Sequence, residues 1–497
     1  MIALGGLDIG STGCKVTVYD EKGNDLYRAY RDYPVARNVG EHEVRPEDIW
    51  QGVREVLKDA AIHCPDLRAM GVTSFGESCV LLDELDRPVR PAMLYTDPRG
   101  TEECRELTEM LGRDRLEQIT GVAPHSMYSL PKLMWVKKHC PEDFARVRKI
   151  LLMEDYVIYQ LTGQALIDYS LATRSMAFDI RSLCWSEEIF RTAGISPTLF
   201  SEPVLSGSRG AKILPERAEE LGLPKDLLLV PAGHDQVTAA VGSGVFDAGQ
   251  AVDGAGTTEC ITPVFAGIPT DRRIYDGGYA VVPYVTPGTY VTYAFCFTGG
   301  ALVSWFLENC AKGEKAAAKE QGRSVYEILE EGMKDEPTGI LVLPHFAGAG
   351  TPYMDTEAEG AIVGLNLCHS TSDLYRAMME GVGYEMMLNM EYLETAGIRP
   401  KKLRAAGGGA ASRVWMQMKA DMLNVPIVSL GNAEAGAVAC AMVSGVAAGV
   451  FRDLPSAAAV LIKEKETYLP RTAMHEAYQA HYRRYQKLYE AVRPLRN

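Results

Sequence analysis

The chain has 497 residues, of which 47% are hydrophobic and 23% are charged, and it carries a net charge of −14 at pH 7. This length exceeds what one hydrophobic core usually supports, so two domains of similar size are expected. The acidic surface excludes nucleic acid and anionic membranes as partners, because both bind to basic surfaces.

Cysteine usage and hydropathy predict a cytoplasmic protein. The 11 cysteines are scattered along the chain without a C-x-x-C pair, which favours reduced thiols over a disulfide framework or a zinc site. The first residues lack the basic region of a signal peptide. The most apolar run, residues 435–451, falls short of the ~20 residues that span a bilayer. Its Ala and Gly content predicts a tightly packed internal helix.

The first predicted element is a strand–turn–strand unit at residues 4–24. An apolar strand ends at Asp8, a turn of Gly, Ser and Thr follows, and the second strand begins at Lys15. Small residues let backbone N–H groups approach phosphate oxygens, and Ser11, Thr12 and Lys15 add hydroxyls and charge. Asp8 is a candidate ligand of hydrated Mg²⁺. An ordinary glycine turn is the alternative, since short glycine motifs are weak signals.

Helices then alternate with short apolar strands. Helical periodicity predicts helices at residues 46–61 and 372–395. Apolar runs at 69–74 and 227–232 predict buried strands. The C-terminal residues 473–492 form an amphipathic, basic pattern, which indicates a helix with a solvated face.

Asp235 directly follows the predicted strand at 227–232 and precedes a short helical stretch at 237–242. Phosphoryl transfer to a hydroxyl requires a group that accepts or orients the hydroxyl proton, and an Asp at a strand end is suited to that role. Asp is also a common helix N-cap, and local sequence alone favours the N-cap interpretation.

A second strand–turn–strand unit lies about half a chain later, at residues 250–265. Its turn contains Gly256, Thr257 and Thr258, which are suited to the same phosphate chemistry as the first turn. Two such units predict two related domains, each with a phosphate loop, that grip a phosphate chain from both sides of a cleft. Glycines at 242–249 suit a linker between the domains.

Three consecutive glycines, 407–409, follow a predicted strand at 403–406 and precede Ser412 and a predicted helix at 413–423. Residues without side chains let the backbone approach a flat base or a ribose closely. A tight strand-to-helix turn is the alternative, although three glycines exceed what a turn requires.

These features together resemble the FGGY family of carbohydrate kinases, over nearly the whole chain. Two long family signatures are present: MYSLPKLMWVKKH at 127–139, and GAIVGL at 360–365 followed after seven residues by DLYRAMME at 373–380. The block GGGAASRVWMQMKAD at 407–421 is also similar to the family. Such long patterns are far more specific than a single glycine loop.

The resemblance implies an α/β fold with two ribonuclease H-like domains of the actin–Hsp70–sugar kinase superfold flanking an ATP cleft. Residues 1–244 would bind the sugar and carry the first phosphate loop and the catalytic Asp, and residues 245–497 would bind the nucleotide. ATP and Mg²⁺ are the implied cofactors. A homodimer is a family expectation only.

The resemblance also implies individual roles. Asp235 is the general base, and Asp8 lies near the metal and the transferred phosphate. The residues implied to bind ATP are Ser11, Thr12, Lys15, Gly256, Thr257, Thr258, Gly299, Gly300, Gly408, Gly409 and Ser412.

The substrate pocket departs from any one family pattern. Glu77 matches a polyol-binding Glu of glycerol kinases, but Gly76 replaces the Arg before it, and Gln236 is also similar to glycerol kinases. Asp97 lies in a segment similar to pentulose kinases. Glu77, Asp97 and Gln236 are the candidate substrate-binding residues. Glu77 as a surface carboxylate, Asp97 as a turn residue, and Arg99 as either a ligand of a carboxylate substrate or a partner of Asp97 are the open alternatives.

The predicted activity is ATP-dependent phosphorylation of a ketopentose such as xylulose or ribulose. Glycerol, erythritol, a deoxy-ketose and gluconate are alternative acceptors. A nucleotide-binding regulatory or scaffold protein on the same fold is the alternative from another class, disfavoured by the intact Asp8, Asp235 and both loops. A phosphatase of the same superfold would not account for the two signatures.

Overall fold

A computed structural model describes residues 2–431 and 434–496, which form two compact units. The first unit comprises Met1–Phe246, Ala280–Val291 and Glu434–Ile462, and the second comprises Asp247–Tyr279, Thr292–Ala433 and Lys463–Asn497. The first change of unit lies within two residues of the predicted boundary between residues 244 and 245. The units nevertheless differ from the predicted ranges, because two later segments return to the first unit.

The strands are short and are distributed over both units. In chain order they are β1 (Ala3–Ile9), β2 (Gly13–Asp20), β3 (Asp25–Asp32), β4 (Val35–Asn38), β5 (Glu41–Val44), β6 (Leu67–Ser74), β7 (Cys79–Leu82), β8 (Ala92–Met93), β9 (Lys149–Leu152), β10 (Leu166–Asp168), β11 (Phe178–Asp179), β12 (Cys184–Trp185), β13 (Glu202–Val204), β14 (Ala211–Lys212), β15 (Leu228–His234), β16 (Gln250–Ala255), β17 (Glu259–Ala266), β18 (Val282–Pro283), β19 (Thr289–Val291), β20 (Ala294–Cys296), β21 (Leu341–Leu343), β22 (Ala361–Val363), β23 (Lys402–Ala406), β24 (Ile427–Leu430) and β25 (Glu464–Tyr468).

The helices alternate with these strands. In chain order they are α1 (Pro46–His63), α2 (Thr101–Leu111), α3 (Arg113–Thr120), α4 (Ser129–His139), α5 (Pro141–Arg146), α6 (Met153–Thr162), α7 (Tyr169–Thr173), α8 (Glu187–Ala193), α9 (Pro215–Leu221), α10 (Asp235–Gly242), α11 (Arg273–Asp276), α12 (Gly300–Asn309), α13 (Lys312–Gln321), α14 (Val325–Glu331), α15 (Thr371–Thr395), α16 (Arg413–Leu423), α17 (Ala435–Ala447), α18 (Leu454–Leu461), α19 (Thr472–Tyr485) and α20 (Leu488–Val492).

The main sheet of the first unit has the order β14-β15-β6-β1-β2-β3. Strands β1, β2 and β3 pair antiparallel as a meander, whereas β6 pairs parallel with both β1 and β15. The parallel strands β1, β6 and β15 are almost entirely buried, as expected for strands covered on both faces. Their carboxyl ends meet at one edge, where ligands of open α/β sheets bind.

The main sheet of the second unit repeats this pattern. Strand β17 pairs antiparallel with β16 and β20, β16 pairs parallel with β23, β23 pairs parallel with β24, and β25 closes the sheet antiparallel. The hairpins β1–β2 and β16–β17 therefore occupy equivalent positions, which confirms the repeated unit predicted from the sequence.

Helix α17 explains why residues 434–462 belong to the first unit. It is the Ala- and Gly-rich helix predicted within 435–451, and it packs on β1, β6 and α10. Glycines make the close approach possible: a Cβ on Gly6 would lie 2.4 Å from the carbonyl oxygen of Ala437, and one on Gly71 would lie 2.4 Å from that of Cys440. The backbone of the helix therefore contacts the backbone of the sheet directly, and it lies closer than intervening side chains would allow.

The other predicted helices are largely confirmed. Helix α1 begins with Pro46 at its first turn and buries Ile49, Val53, Val56 and Leu57, the spacing that turns one apolar face toward a core. The predicted C-terminal helix at 473–492 is wrong in one respect, because the structure has two helices, α19 and α20, with Gln486 at the C-cap of the first. No helix within the described ranges is long and apolar enough to cross a membrane.

Candidate active site

The ends of β1 and β2 place two charges in register. Asp8 pairs with Lys15 across the hairpin, and the Lys15 ammonium lies 3.3 Å from Asp8 Oδ2 and 2.5 Å from Glu434 Oε2. Burial raises the pKa of Asp8, and the Lys15 ammonium offsets part of that shift. Glu434, which the sequence analysis missed, therefore completes a charge cluster with the predicted Asp8 and Lys15.

The turn that joins these strands is closed by backbone hydrogen bonds. The N–H of Gly10 donates to the oxygen of Gly13 at 2.9 Å, and the N–H of Tyr33 donates to the oxygen of Thr12 at 3.1 Å. Ser11 is half-buried and Thr12 is exposed at the tip. Ser11 and Thr12 thus lie in the turn of the hairpin that carries the Asp8–Lys15 pair, and a phosphate loop needs such hydroxyls.

An irregularity at the end of β15 sets the direction of the backbone that leads to Asp235. The register against β6 shifts just before Gly233, whose φ of 125° is accessible to glycine and not to other residues. The N–H of Gly233 donates to Glu154 Oε1 at 2.7 Å, and the N–H of His234 donates to Ser170 Oγ at 2.9 Å. Asp235 then opens α10, with His234 and not Asp235 at the cap position.

The carboxylate of Asp235 has the acidity of a general base. Burial, and then the charges of Asp8 and Glu77, raise its pKa to about 7. The ring of His234 lies 3.2 Å from Asp235 Oδ1, and burial together with the charge of Arg174 lowers the pKa of His234 well below its ordinary value. His234 is therefore neutral at pH 7, and a carboxylate with the pKa of Asp235 can accept a proton near neutral pH.

Glu77 lies in a strained turn and pairs with a distant arginine. Its φ is 68°, and Arg174 Nε donates to Glu77 Oε1 at 2.6 Å while both residues are buried. A Cβ on Gly76 would lie 2.9 Å from Arg174 Cγ and 3.2 Å from His234 Cδ2. The absence of a side chain at Gly76 thus leaves room for Arg174 beside Glu77. Gln236, another candidate, is exposed in the first turn of α10.

Asp97 is held in place by several hydrogen bonds. Its Oδ2 accepts the N–H of His42 at 2.8 Å, its Oδ1 accepts Arg99 Nε at 2.9 Å, and Lys132 of α4 donates to its backbone oxygen at 3.0 Å. Burial raises the pKa of Asp97, but the hydrogen bonds from Arg99 and His42 and the charge of Arg99 together outweigh it, and the pKa lies below its ordinary value. Of the two alternatives for Arg99, the structure has the pairing with Asp97, extended by Glu43 at 2.6 Å.

In the second unit, the structure brings together the predicted loop 256–258 and the start of α12. The N–H of Gly300 donates to the oxygen of Gly256 at 2.8 Å, and that of Gly299 donates to the oxygen of Thr257 at 2.9 Å. A Cβ on Gly299 would lie 2.8 Å from the backbone carbon of Thr258. Glycines at 299 and 300 are therefore required for α12 to pack on this loop.

The glycines after β23 lie against the same loop. A Cβ on Gly407, whose φ is 93°, would lie 2.6 Å from the oxygen of Ala255, and one on Gly409 would lie 2.9 Å from Ala255 Cβ. Gly408 is exposed. Ser412 caps α16 through its hydroxyl. The predicted phosphate loop and the predicted adenosine loop of this unit are thus adjacent.

A magnesium ion fits the donors of the first unit. Mg²⁺ takes one or two protein carboxylates and completes its shell with water and phosphate oxygens. The charge of Asp8 raises the pKa of Asp235, so a cation near them would relieve unfavourable charge. Among residues 2–431 and 434–496, no group of three or more His, Cys, Asp or Glu could hold a metal by itself.

Sequence reasoning missed two further residues. Arg174 carries no local signal, because its partner Glu77 lies 97 positions away. Lys419 carries a weak one, since it is a buried cation on the helical face of Trp415 and Met422. Each is recognised only through the fold.

Comparisons with known proteins cover nearly the entire chain. The model of the N-terminal domain of the FGGY family of carbohydrate kinases matches residues 3–242, and that of the C-terminal domain matches residues 256–448. The xylulose kinase of Bacillus subtilis (strain 168) is 27% identical over 498 residues, covering 99% of this chain and 97% of that protein. The xylulose kinase of Escherichia coli (strain K12) is 28% identical over 501 residues, covering 99% of each. The crystal structure of xylulose kinase from Rhodospirillum rubrum is 25% identical, covers 99% of each chain and superposes with a TM-score of 0.88.

Proposed function

The chain belongs to the FGGY family of carbohydrate kinases and is a sugar kinase with ATP as phosphate donor, and we propose that its acceptor is a ketopentose such as xylulose or ribulose. The acceptor class is supported by full-length relatives that are xylulose kinases. The observation that carries the mechanism is the carboxylate of Asp235, whose pKa is raised to about 7 beside the buried Glu77–Arg174 pair.

Asp235 acts as the general base of the proposed reaction. Its carboxylate oxygen takes the proton of the sugar hydroxyl while the hydroxyl oxygen forms a bond to the γ-phosphorus and the bond to the β-phosphate oxygen breaks, which releases ADP. Neutral His234, 3.2 Å from Asp235 Oδ1, orients the carboxylate without contributing a charge. The first turn of α10 adds a partial positive potential that favours the ionised carboxylate.

The sugar is oriented by acceptors and donors at the same edge of the sheet. Glu77 is suited to accept hydrogen bonds from adjacent hydroxyls, and Arg174 restrains its carboxylate. Asp97 and Gln236 belong to the proposed sugar site. The Arg99, His42 and Lys132 contacts hold the Asp97 segment in place, so that a sugar would share an existing network.

We assign one candidate phosphate loop to each unit. Residues Ser11, Thr12 and Lys15 contribute from the first unit, and the loop 256–258, supported by Gly299 and Gly300, contributes from the second. The adenosine is assigned to Gly408, Gly409 and Ser412. Asp8 would hold a hydrated Mg²⁺, which when bound offsets charge on the phosphates. A cytoplasmic location and a homodimer belong to the proposal through the resemblance alone.

The test is an ADP-release assay with MgATP and a panel of pentuloses, hexuloses, tetritols, glycerol and aldonates. We expect one ketopentose to have a kcat/KM far above the rest. Preference for glycerol or an aldonate would contradict the proposed acceptor while leaving the kinase class intact. ATP binding without turnover of any acceptor would instead support a regulatory or scaffold protein.

A further inference from the structure

A buried ionic triad lies directly beneath the second phosphate loop. Lys419 Nζ donates to Asp253 Oδ2 at 2.9 Å and to Glu259 Oε1, and it stacks 4.8 Å from the centre of the Trp415 ring. All three charged residues are at most 1% exposed. Charged groups are rarely buried so completely without a functional or structural reason.

The triad connects the two loops assigned to the nucleotide. Asp253 lies in β16 and Glu259 is the first residue of β17, so the two carboxylates flank the loop 256–258 on both sides. Lys419 lies in α16, whose N-terminus is capped by Ser412. One ammonium therefore ties both ends of the phosphate loop to the helix that follows the adenosine loop.

The charges of the triad balance only if one carboxyl keeps its proton. Asp253 Oδ1 and Glu259 Oε2 are buried without a hydrogen-bond donor among the described residues, which is costly for two ionised carboxylates. Burial, and then the charge of Asp253, raise the pKa of Glu259 well above its ordinary value. A proton on Glu259 would reduce the negative charge of the triad, and the Lys419 ammonium contacts both carboxyl groups.

We propose that Lys419 is a positioning residue for the nucleotide: it holds the loop 256–258 in the conformation that receives polyphosphate and cancels negative charge beneath that loop. This inference depends on the proposed function, because it concerns the same ATP site. A polyphosphate is repelled by uncompensated carboxylates nearby. The contribution of Lys419 is consequently to phosphate binding, more than to binding of the nucleoside.

The contact between Gly409 and Ala255 provides a second structural connection between Lys419 and the phosphate loop. A Cβ on Gly409 would lie 3.1 Å from Cζ3 of the Trp415 ring and 2.9 Å from Ala255 Cβ. Trp415 in turn contacts the Lys419 ammonium. A shift of Lys419 would therefore move the base of the phosphate loop relative to the glycines assigned to adenosine.

The test compares the full chain with Lys419→Met, using isothermal titration calorimetry with MgATP and with AMP. We expect Lys419→Met to raise the Kd of MgATP by about tenfold or more and to change that of AMP by less than about threefold. Lys419→Arg, which keeps the charge, should restore most of the MgATP affinity. Unchanged MgATP affinity in Lys419→Met, or equal losses for both nucleotides, would overturn the inference.

Arg376→Met is the matched control. Arg376 Nε donates to the buried Glu380 at 3.0 Å in the same unit, so each variant removes the cation that pairs with a buried carboxylate. The control should lower the thermal midpoint to a similar extent without raising the Kd of MgATP. An equal rise in both variants would show that general destabilisation, and not Lys419, is responsible.

The double variant Lys419→Met/Asp253→Asn covers the case in which the single variant does not fold. It removes the cation together with one of its two carboxyl partners, so that less uncompensated charge is buried than in the single variant. We expect MgATP binding still to be weakened, since the tie to α16 is lost. Wild-type affinity in this variant would overturn the positioning role. A wild-type protein that binds no MgATP would overturn the proposed function and this inference with it.

Discussion

At the scale of single residues, the proposed chemistry depends on the proton affinity of Asp235. Replacing it with Asn keeps the shape of the side chain but removes its ability to accept a proton. We expect Asp235→Asn to lower kcat by about 10²–10⁴-fold and to leave the Kd of MgATP nearly unchanged in calorimetry. Asp226→Asn, which alters an exposed carboxylate of the same unit, is the control. An active Asp235→Asn protein would rule out the assignment.

The raised pKa of Asp235 also predicts a pH dependence. The base works only when it is ionised, and its pKa is raised to about 7 by burial and by the charges of Asp8 and Glu77. We therefore expect kcat/KM for the sugar to fall tenfold per pH unit below about 7 and to level above it. Initial rates at saturating MgATP from pH 5.5 to 8.5 measure this. An acidic limb near pH 4 would show that another group is the base.

Gly76 gives a test of the Glu77–Arg174 pair that substitutes neither partner. An alanine Cβ would lie 2.9 Å from Arg174 Cγ and 3.2 Å from His234 Cδ2, so the Arg174 side chain must shift and its hydrogen bond to Glu77 is disturbed. We expect Gly76→Ala to raise the KM of the sugar by about tenfold with little change in the KM of MgATP. Gly313→Ala, where a Cβ meets nothing within 4 Å, should change neither. Equal effects on both KM values would contradict a sugar-specific role.

At the scale of elements, the packing of α17 on the first sheet depends on the absence of side chains. A Cβ on Gly71 would lie 2.4 Å from the backbone oxygen of Cys440, whereas one on Gly5 would meet the flexible end of Met70 at 2.7 Å. We expect Gly71→Ala to reduce the free energy of unfolding by about 1–3 kcal/mol and Gly5→Ala to reduce it much less. Urea unfolding measures both. Equal losses would show that α17 can move away from the sheet.

Local signals explain which elements could be predicted from the sequence. The hairpins around residues 8–15 and 254–259 and the helices α1, α15 and α16 have turn residues or apolar periodicity in one continuous segment. The bulge before Gly233 could not be predicted, because it depends on Glu154, which lies 79 positions away. No Gly or Pro in the sequence marks the break between α19 and α20.

The residues of the candidate site were also predictable only where their signal is local in the sequence. Asp8, Asp235 and the glycine loops were predicted because each sits in a short recognisable pattern, strengthened by the family resemblance. The partners that tune them were not: Arg174 reaches Glu77 across 97 positions, and Lys419 reaches Asp253 across 166. Proton affinities depend on such contacts and on burial, so neither the raised pKa of Asp235 nor that of Glu259 was accessible from the sequence.

At the scale of the whole molecule, the two units have the same strand pattern, but each is built from separate segments of the chain. The repeated hairpins identify the relationship between the units, since each begins a sheet with the same pairing order. Residues 280–291 and 434–462 return to the first unit, and no composition change marks these crossings. The small residues of α17 indicated a buried helix without indicating which sheet covers it.

Three buried carboxylates of the first unit make its stability depend on pH. Burial raises the pKa of Glu154, Asp155 and Asp168, that of Asp155 to about 8. An unfolded Asp titrates near about 3.9, so between these values the folded protein holds a proton that the unfolded chain has released. For Asp155, stability therefore falls as pH rises from about 4 to 8, by up to about 1.4 kcal/mol per pH unit, and the raised pKa values of Glu154 and Asp168 act in the same direction.

Asp155→Asn should remove one of these contributions, because an amide does not titrate and can still accept the hydrogen bond from Ser201, which lies 2.5 Å from Asp155 Oδ2. We expect the variant to lose less stability than the wild-type protein between pH 5 and 8, in calorimetric unfolding followed over that range. Asp226→Asn, on the surface, should parallel the wild type. If Asp155→Asn also parallels the wild type, Asp155 is ionised in the folded protein, and the pH dependence must come from its neighbours Glu154 and Asp168.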